Sequence, residues 1–352
     1  MVTGGTNREP EPELLARARA GDEDAFGILI APYLRELHVH CYRMLGSVHD
    51  AEDVLQEVLV RAWHHLGTFD GRGSVRGWLY RIATNRCLTA RSRAAASPVA
   101  ALSPASPPPN ASDVEVTALA PYPDEWLREL AGPGDPAIAY EVRKSVQLAF
   151  LTVIQLLPSR QRAVLLLRDG LGFSAAETAQ ILQASQATVT NALQRARATL
   201  NSHRASGRLR PSSAPDLVAE RALADRFTAA WHACDIPALV SVLAEDCLLT
   251  MPPAPLAYRG REAVGSFFAT VPASGDLTAI QLIPTRANGQ PAVAAYLRDG
   301  TTARAYGIMV LTVRAGLIGE ITGFADPSLF SLFGLPQQAD WPVKLTGGIC
   351  AL

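Results

Sequence analysis

The chain has 352 residues, 48% of them hydrophobic, which allows two or three domains with buried cores. A net charge of −1 excludes a uniformly basic chain, and five scattered cysteines without a Cys-x-x-Cys pair favour neither disulfides nor zinc, so we expect no metal and no cofactor. No apolar run is long enough to span a membrane and the N-terminus is polar, so we expect a cytoplasmic protein without a membrane partner.

The first distinctive helical pattern lies in residues 50–63, which begin DAEDVLQE. Its apolar residues recur at helical spacing and predict a buried stripe made of Val54, Leu55, Val58, Leu59 and Ala62. The opposite face carries mainly hydrogen-bond acceptors, namely Asp50, Asp53, Gln56 and Glu57. Because such a face repels nucleic acid, it indicates a basic protein partner.

An aromatic, arginine-rich helix is predicted from Val75 onward and contains WLYRIATN at residues 78–85. Rings beside cations suit unstacked bases of single-stranded DNA, and each stacked base contributes about 1–3 kcal/mol. The alternative interpretation is that Val75, Trp78, Leu79 and Ile82 form a core and that the arginines are only solvated.

Proline punctuates residues 97–123 and indicates a semi-extended spacer. Within it, residues 118–127 carry too many large apolar side chains for an inert tether, so we expect this segment to dock on another surface. A short helix over residues 123–130 that packs only locally is the alternative.

Residues 157–200 have the pattern of a helix-turn-helix. Ser174 and Glu177 form a predicted capping box, and a second helix buries Val189, Leu193, Ala196 and Leu200. Its other face presents side chains that hydrogen-bond base edges or phosphates, namely Thr188, Thr190, Asn191, Gln194, Arg195 and Arg197. An ordinary amphipathic helix pair with a solvated face remains the alternative.

The charge is segregated along the chain. Seven arginines accompany one acid between residues 61 and 93, and eight accompany two acids between residues 158 and 210, whereas acids outnumber bases beyond residue 215. Two basic blocks can therefore meet DNA phosphates although the total is near neutral.

A Gly-, Pro- and Ser-containing seam at residues 206–215 precedes a different pattern. Three predicted helices, at residues 217–231, 236–243 and 261–268, come before predicted strands at residues 277–283, 292–297, 305–313 and 317–324. Asn288-Gly289, Asp299-Gly300 and Ala315-Gly316 mark turns between the strands. This order predicts an α+β cone with an antiparallel meander and a pocket.

After the last strand, residues 326–334 predict a short helix that starts near Asp326 and ends at Gly334. Its four large apolar side chains, which include Leu329 and Phe333, are too many for one solvated turn, so we expect an interdomain contact with a regulatory role. The alternative is that these side chains close the mouth of the cone itself.

Residues 50–57, 78–85 and 157–200 together resemble the conserved regions of extracytoplasmic-function sigma factors of the sigma-70 family. The resemblance implies sigma region 2 over residues 11–95, a linker over 96–135, sigma region 4 over 136–205 and a second linker over 206–215. It also implies two partners, promoter DNA and the RNA polymerase core. The core would be bound at the clamp helices of its largest subunit by Asp50, Asp53, Gln56 and Glu57, and also at its flap.

For DNA, the resemblance assigns the minus-10 element to Trp78, Tyr80, Arg81 and Asn85, with Asn85 helping to capture a flipped base. It assigns the minus-35 element to the outward face of the second helix of the helix-turn-helix. Relatives often carry arginines there, whereas this chain has Thr190, Asn191 and Ala192, so its minus-35 sequence cannot be copied from them.

Residues 216–340 resemble the SnoaL-like domain, and the expected architecture is two all-α sigma domains followed by an α+β cone. Such cones include isomerases and cyclases, but the polar candidates define no catalytic pair: His232, Tyr258, Tyr296, Arg304 and Asp326. We therefore expect a non-enzymatic sigma factor with a fused regulatory domain, whose pocket has room for a small ligand. The alternatives are an enzyme tethered to a DNA-binding module and a simple repressor or activator, which would leave the acidic face of residues 50–57 unexplained.

Overall fold

The fold is taken from a computed structural model. It describes residues 10–69, 71, 73–96, 112–113, 119–131, 140–141, 143–205 and 216–343. Most of the proline-rich spacer and the whole seam at residues 206–215 lie outside the described residues. Within the described ranges, no helix is long and apolar enough to cross a membrane.

The helices, in chain order, are α1 (Glu11–Arg19), α2 (Glu23–Ile30), α3 (Leu34–Leu45), α4 (Val48–His65), α5 (Val75–Ala96), α6 (Asp124–Ala131), α7 (Leu148–Gln155), α8 (Ser159–Leu165), α9 (Ala175–Leu182), α10 (Gln186–Ala205), α11 (Leu217–His232), α12 (Ile236–Ser241), α13 (Arg261–Thr270) and α14 (Leu329–Leu332). The strands are β1 (Ser112–Asp113), β2 (Leu243–Met251), β3 (Ala254–Arg259), β4 (Ile280–Ala287), β5 (Gln290–Asp299), β6 (Thr302–Arg314), β7 (Leu317–Phe324) and β8 (Gln338–Asp340). The chain divides into two compact units, residues 1–98 with 157–201 and residues 99–156 with 202–352.

The first unit is all helical. Helices α3, α4 and α5 pack around apolar side chains that are fully excluded from solvent, among them Leu37, Met44, Val58 and Leu79. Helix α3 ends at Gly46, whose φ of 84° is a left-handed conformation that glycine adopts without strain. Ser47 then caps α4 by accepting a hydrogen bond from the Asp50 amide at 3.1 Å. These local signals set the start of the acidic helix.

Helices α8, α9 and α10 belong to the same unit and form the helix-turn-helix. The predicted capping box is present: the Glu177 amide donates to Ser174 Oγ at 3.2 Å, and the Ser174 amide donates to Glu177 Oε2 at 2.7 Å. On α10 the predicted stripe of Val189, Leu193, Ala196 and Leu200 is buried. Helix α9 packs against α5, so the module rests on the bundle.

The second unit is built around one mixed sheet. The strand order is β1-β3-β2-β7-β6-β5-β4, and β8 pairs with β6. Helices α11, α12 and α13 cover one face, where the rings of Phe227, Trp231 and Phe268 meet. The Trp231 indole donates to the Ile280 carbonyl at 3.1 Å, so this large ring is buried without an orphaned donor.

The sequence predicted the meander of β5, β6 and β7 and its turns, but it missed the strands before α13. Residues 243–251 form β2, which pairs in parallel with β7, and β3 returns antiparallel to β2. The predicted antiparallel meander is present, but the sheet also contains a parallel pair and two strands that the sequence did not predict. Residues 277–279, expected to start a strand, form a short 3-10 turn instead. Parallel pairing joins segments about 70 residues apart, which no local period reveals.

Candidate nucleic-acid and partner interfaces

The predicted acidic face is a continuous surface of α4. Asp50, Asp53, Gln56 and Glu57 are all exposed, while Val54 and Val58 on the opposite side are buried. Glu57 differs from the other three because its carboxylate pairs with the Arg86 guanidinium of α5. Asp50, Asp53 and Gln56 are therefore available to a partner, whereas Glu57 also joins two helices of the bundle.

An apolar side chain extends this acidic face. Val60 lies four residues after Gln56, hence on the same side of the helix, and is 57% exposed. The sequence did not predict its exposure, because a valine within a helical pattern usually indicates a core residue. An exposed valine beside carboxylates is typical of the centre of a protein–protein contact, where apolar atoms are buried within a polar rim.

The four residues predicted to read the minus-10 element lie on α5 in different environments. Trp78 is 6% exposed and its ring lies 5.3 Å from that of Phe69, and Tyr80 is fully buried. Arg81 is exposed and Asn85 is half-buried. In this arrangement Arg81 and Asn85 are accessible to DNA, whereas the two rings are not.

Two rings pack on Tyr80: that of His40 on α3, at 5.1 Å between centroids, and one from the helix-turn-helix. The Phe173 ring packs edge-on against the Tyr80 ring at 5.3 Å between centroids. The Arg76 guanidinium lies 4.8 Å from the Phe173 ring and 5.0 Å from the Tyr80 ring, and its Nε donates to Glu36 Oε1 at 3.1 Å. This cluster of Glu36, Arg76, Tyr80 and Phe173 is called the Phe173 lock below. Sequence reasoning missed it because its members are far apart in the chain.

A second contact within the same unit involves the LPSRQR segment. Arg162 is fully buried, and its guanidinium donates to the Met44 carbonyl at 2.5 Å and to the Leu157 carbonyl at 3.2 Å. Burial, and to a smaller extent the charge of the nearby Arg91, lower the pKa of Arg162 to about 9. Met44 is in the last turn of α3, where carbonyls lack helical partners, so Arg162 holds the first helix of the module on the end of α3.

The predicted base-reading face of α10 is open to solvent. All six of its predicted contact residues are exposed: Thr188, Thr190, Asn191, Gln194, Arg195 and Arg197. Three of them have partners on the protein itself. Thr188 Oγ1 and Ser185 Oγ share a hydrogen bond at 2.9 Å. Thr190 Oγ1 donates to the Gln186 carbonyl at 3.0 Å, and Arg197 forms a two-pronged ion pair with Asp169 at 2.6 and 2.9 Å. A phosphate would have to compete with Asp169 for Arg197.

The chain matches Sigma-70 region 2 over residues 29–97, Sigma-70 region 4 over residues 147–200 and the SnoaL-like domain over residues 224–321. ECF RNA polymerase sigma factor SigG of Mycobacterium tuberculosis is 41% identical over 345 residues, which cover 96% of this chain and 89% of SigG. This chain belongs to the ECF RNA polymerase sigma factors.

Other similar proteins agree with that family. ECF RNA polymerase sigma factor SigW of Bacillus subtilis is 30% identical over 189 residues, which cover 53% of this chain and 92% of SigW. The crystal structure of Mycobacterium tuberculosis SigJ is similar with a TM-score of 0.55 and 25% identity, covering 87% of this chain and 98% of SigJ. The protein is therefore an alternative sigma factor that directs RNA polymerase to promoters, with a SnoaL-like domain at its C-terminal side.

In the second unit of this sigma factor, the Asn288-Gly289 turn binds two segments that precede the cone. The backbone N–H of Asn288 donates to the Tyr122 carbonyl at 2.8 Å, and the side-chain Oδ1 of Asn288 accepts from the backbone N–H of Tyr122 at 2.9 Å. Asn288 Nδ2 donates to the Val146 carbonyl at 2.7 Å, and the Gly289 amide donates to Asp124 Oδ1 at 2.6 Å. We call these five residues the Asn288 clasp.

For residues 118–127 the sequence allowed either docking on another surface or a short helix that packs only locally. The predicted short helix is present as α6, and the segment also docks on another surface, that of the cone. Beside the clasp, Arg286 Nε donates to Asp124 Oδ2 at 3.1 Å and its Nη2 donates to Glu220 Oε2 at 3.3 Å. Burial raises the pKa of Asp124 and of Glu220, and Arg286 opposes that rise in both.

The polar candidates for catalysis in the cone are separated. His232 Nε2 accepts from the Leu282 amide at 3.1 Å, and Tyr296 donates to the Pro336 carbonyl at 2.8 Å. Tyr258 is buried with no hydrogen-bond partner for its hydroxyl in the described structure, and Arg304 is exposed. Asp326 accepts from the Ser328 amide at 2.9 Å. No hydrogen bond or ion pair between two of these five residues is found in the described part of the chain.

The C-terminal apolar segment closes the cone. Leu329 is 2% exposed, Phe333 is 7% exposed, and the buried Phe330 ring packs edge-on against Tyr296 at 4.9 Å. Asp326 does not cap α14, whose N-cap residue is Ser328. The regulatory role predicted for Asp326, Leu329 and Phe333 therefore stays a prediction, and aspartate at either apolar position would bury a charge inside the cone.

Proposed function

We propose that α4 is the surface by which this sigma factor binds the polymerase core. Asp50, Asp53 and Gln56 supply acceptors for basic clamp residues, and Val60 supplies the apolar centre of the contact. Support comes from the exposure of all four side chains on one helix face. Glu57 contributes less to the partner because Arg86 already binds it.

For DNA we propose that α10 reads the minus-35 element in the major groove and that α5 reads the minus-10 element once the strands separate. The exposed Asn191, Gln194 and Arg195 supply base contacts, and Arg197 supplies a phosphate contact. On α5, Arg81 and Asn85 are accessible. Tyr80 joins them only after the Phe173 lock opens, because the rings of Phe173 and His40 pack on it and leave it buried.

The SnoaL-like domain acts in this proposal as a regulator and not as an enzyme. The observation that carries it is the Asn288 clasp, which ties the segment between the two DNA readers to the cone through four hydrogen bonds. A domain that holds the linker controls how far the readers can separate. The enzyme alternative has less support because its polar candidates are scattered. The proposed location is the cytoplasm, where RNA polymerase acts.

Run-off transcription with core polymerase on genomic fragments tests this function. We expect core-dependent transcripts from the full chain, and a several-fold change in their amount when Asn288→Ala opens the clasp. Arg226→Ala, an exposed position on α11, is the matched control and should leave transcription unchanged. Absence of any core-dependent transcript contradicts the sigma-factor role, whereas equal transcription by the wild type and Asn288→Ala contradicts regulation by the cone.

A further inference from the structure

A cavity of about 350 Å³ lies beside the Asn288 clasp. Cavities that hold small molecules are roughly 300–1,000 Å³. Its walls come from the start of α6, residue 143, α11, the β4–β5 hairpin and the segment after α14. Part of the wall therefore belongs to the docked linker side and part to the cone.

Part of the cavity lining is apolar. It includes Leu217, Ala224, Pro284, Pro291 and Phe333. Proline rings and a phenyl ring offer no hydrogen bonds to water, so these residues favour the apolar part of a ligand. Phe333 thereby gains a contact role beyond closing the cone.

The cavity lining also contains charged residues. Asp124 forms an ion pair with Arg286, which also pairs with Glu220 just outside the lining, and the other charged lining residues are Glu125, Arg128, Arg143, Arg221 and Asp225. Water screens the exposed members of this set, whereas Arg143 is half-buried. Within the residues that the structure describes, no carboxylate forms an ion pair with Arg143, although its charge opposes the rise that burial causes in the pKa of Asp124 and of Glu220.

Arg143 is also held in place. A Cβ atom on Gly289 would lie 2.9 Å from Arg143 Cβ, so the arginine stem rests directly on the turn that forms the clasp. Gly289 has a φ of 72°, which glycine adopts without strain. The turn thus fixes the stem of a half-buried arginine that lines the cavity, and a guanidinium on a fixed stem is a partly preorganised donor for an anion.

We propose that this cavity binds a small amphipathic carboxylate. The carboxylate accepts hydrogen bonds from Arg143, and the aliphatic tail lies on Pro284, Pro291 and Phe333. Because the walls belong to both the linker side and the cone, an occupant stabilises the docked linker. That consequence rests on the regulatory role proposed above for the cone, whereas binding itself does not.

Isothermal titration calorimetry of the full chain with sodium octanoate tests the site, and octanamide serves as the uncharged analogue. We expect saturable binding of octanoate, and at least about tenfold weaker binding of octanamide and of octanoate to Arg143→Gln. Arg226→Gln, an exposed arginine of α11 outside the cavity lining, is the matched control and should bind octanoate within about twofold of wild type.

Two results would overturn the site: no saturable heat with octanoate, or equal octanoate affinity for the Arg143→Gln and Arg226→Gln variants. A third variant guards against loss of fold. Leu217→Trp narrows the cavity at an apolar lining residue that is 43% exposed, without touching a charge, and it should reduce octanoate affinity while leaving the thermal unfolding of the protein intact. Unchanged affinity in that variant places the ligand elsewhere. Since these titrations contain no polymerase, their failure is separate from a failure of transcription control.

Discussion

Asn191 and Asn288 place the same side chain in two different surroundings, a proposed DNA-binding face and a contact within the protein. Asn191 on α10 is exposed, and the face around it is open to solvent. Asn288 is fully buried, and its amide side chain binds two backbone groups from distant segments. A surface that binds DNA reversibly keeps its hydrogen-bonding groups hydrated until the partner arrives, whereas an intramolecular clasp satisfies them permanently.

The largest effect we expect separates these two asparagines. Asn288→Ala leaves the Tyr122 amide and the Val146 carbonyl without their partners and places alanine at a φ of 57°. The loss should destabilise the second unit by about 3 kcal/mol, at about 1–3 kcal/mol for each orphaned group. Asn191→Ala should change the free energy of unfolding by less than about 0.5 kcal/mol. Urea denaturation measures the free energy of unfolding of both variants. Similar losses in the two would contradict the difference that we infer between a buried clasp and an exposed face.

The sequence anticipated these two regions unequally. The capping box of α9 and the buried and exposed faces of α10 depend on residues within a few positions of each other. Helical periodicity and capping chemistry were therefore sufficient to predict them. Asn288-Gly289 was predicted as a hairpin turn, and it is one. Its partners Tyr122 and Val146 lie more than 140 residues away, and nothing local encodes that pairing. The Phe173 lock escaped prediction for the same reason.

The Phe173 lock offers a second test, because it packs on the Tyr80 ring, which we propose reads the minus-10 element. Phe173→Ala removes the ring over Tyr80 and should loosen α9 on α5. We expect the sigma factor without polymerase to bind a single-stranded minus-10 oligonucleotide about tenfold more tightly, as measured by fluorescence anisotropy. Leu182→Ala, a half-buried position on α9, controls for general loosening of the module. Equal affinity in Phe173→Ala and wild type would mean that the lock does not limit access.

On the acidic face of α4, a charge reversal at Asp53 alone tests core binding more directly than one that also includes Glu57. Asp53→Arg reverses the charge of an exposed side chain and should weaken binding to core polymerase about tenfold or more through like-charge repulsion. Glu57→Arg would also break the ion pair with Arg86, so a loss of binding there has two explanations. Glu23→Arg on α2 is the matched control. Co-elution of Asp53→Arg with core polymerase as tight as that of the control would place the contact elsewhere.

The smallest effect tests whether α10 divides its exposed side chains between bases and phosphates. Gln194→Ala should relax preference within the minus-35 element by about 1–3 kcal/mol, since a base contact specifies sequence. Arg197→Ala should weaken binding to all sequences and reduce the slope of log affinity against log salt by about 0.9. Asp169 competes with phosphate for Arg197, so Asp169→Asn should strengthen binding to every sequence modestly. Binding isotherms at several salt concentrations measure all three variants. If Arg197→Ala alters sequence preference and leaves the salt slope unchanged, Arg197 contacts a base and not a phosphate. Its ion pair with Asp169 would then position the arginine side chain for that base contact, and Asp169 would not compete with a phosphate.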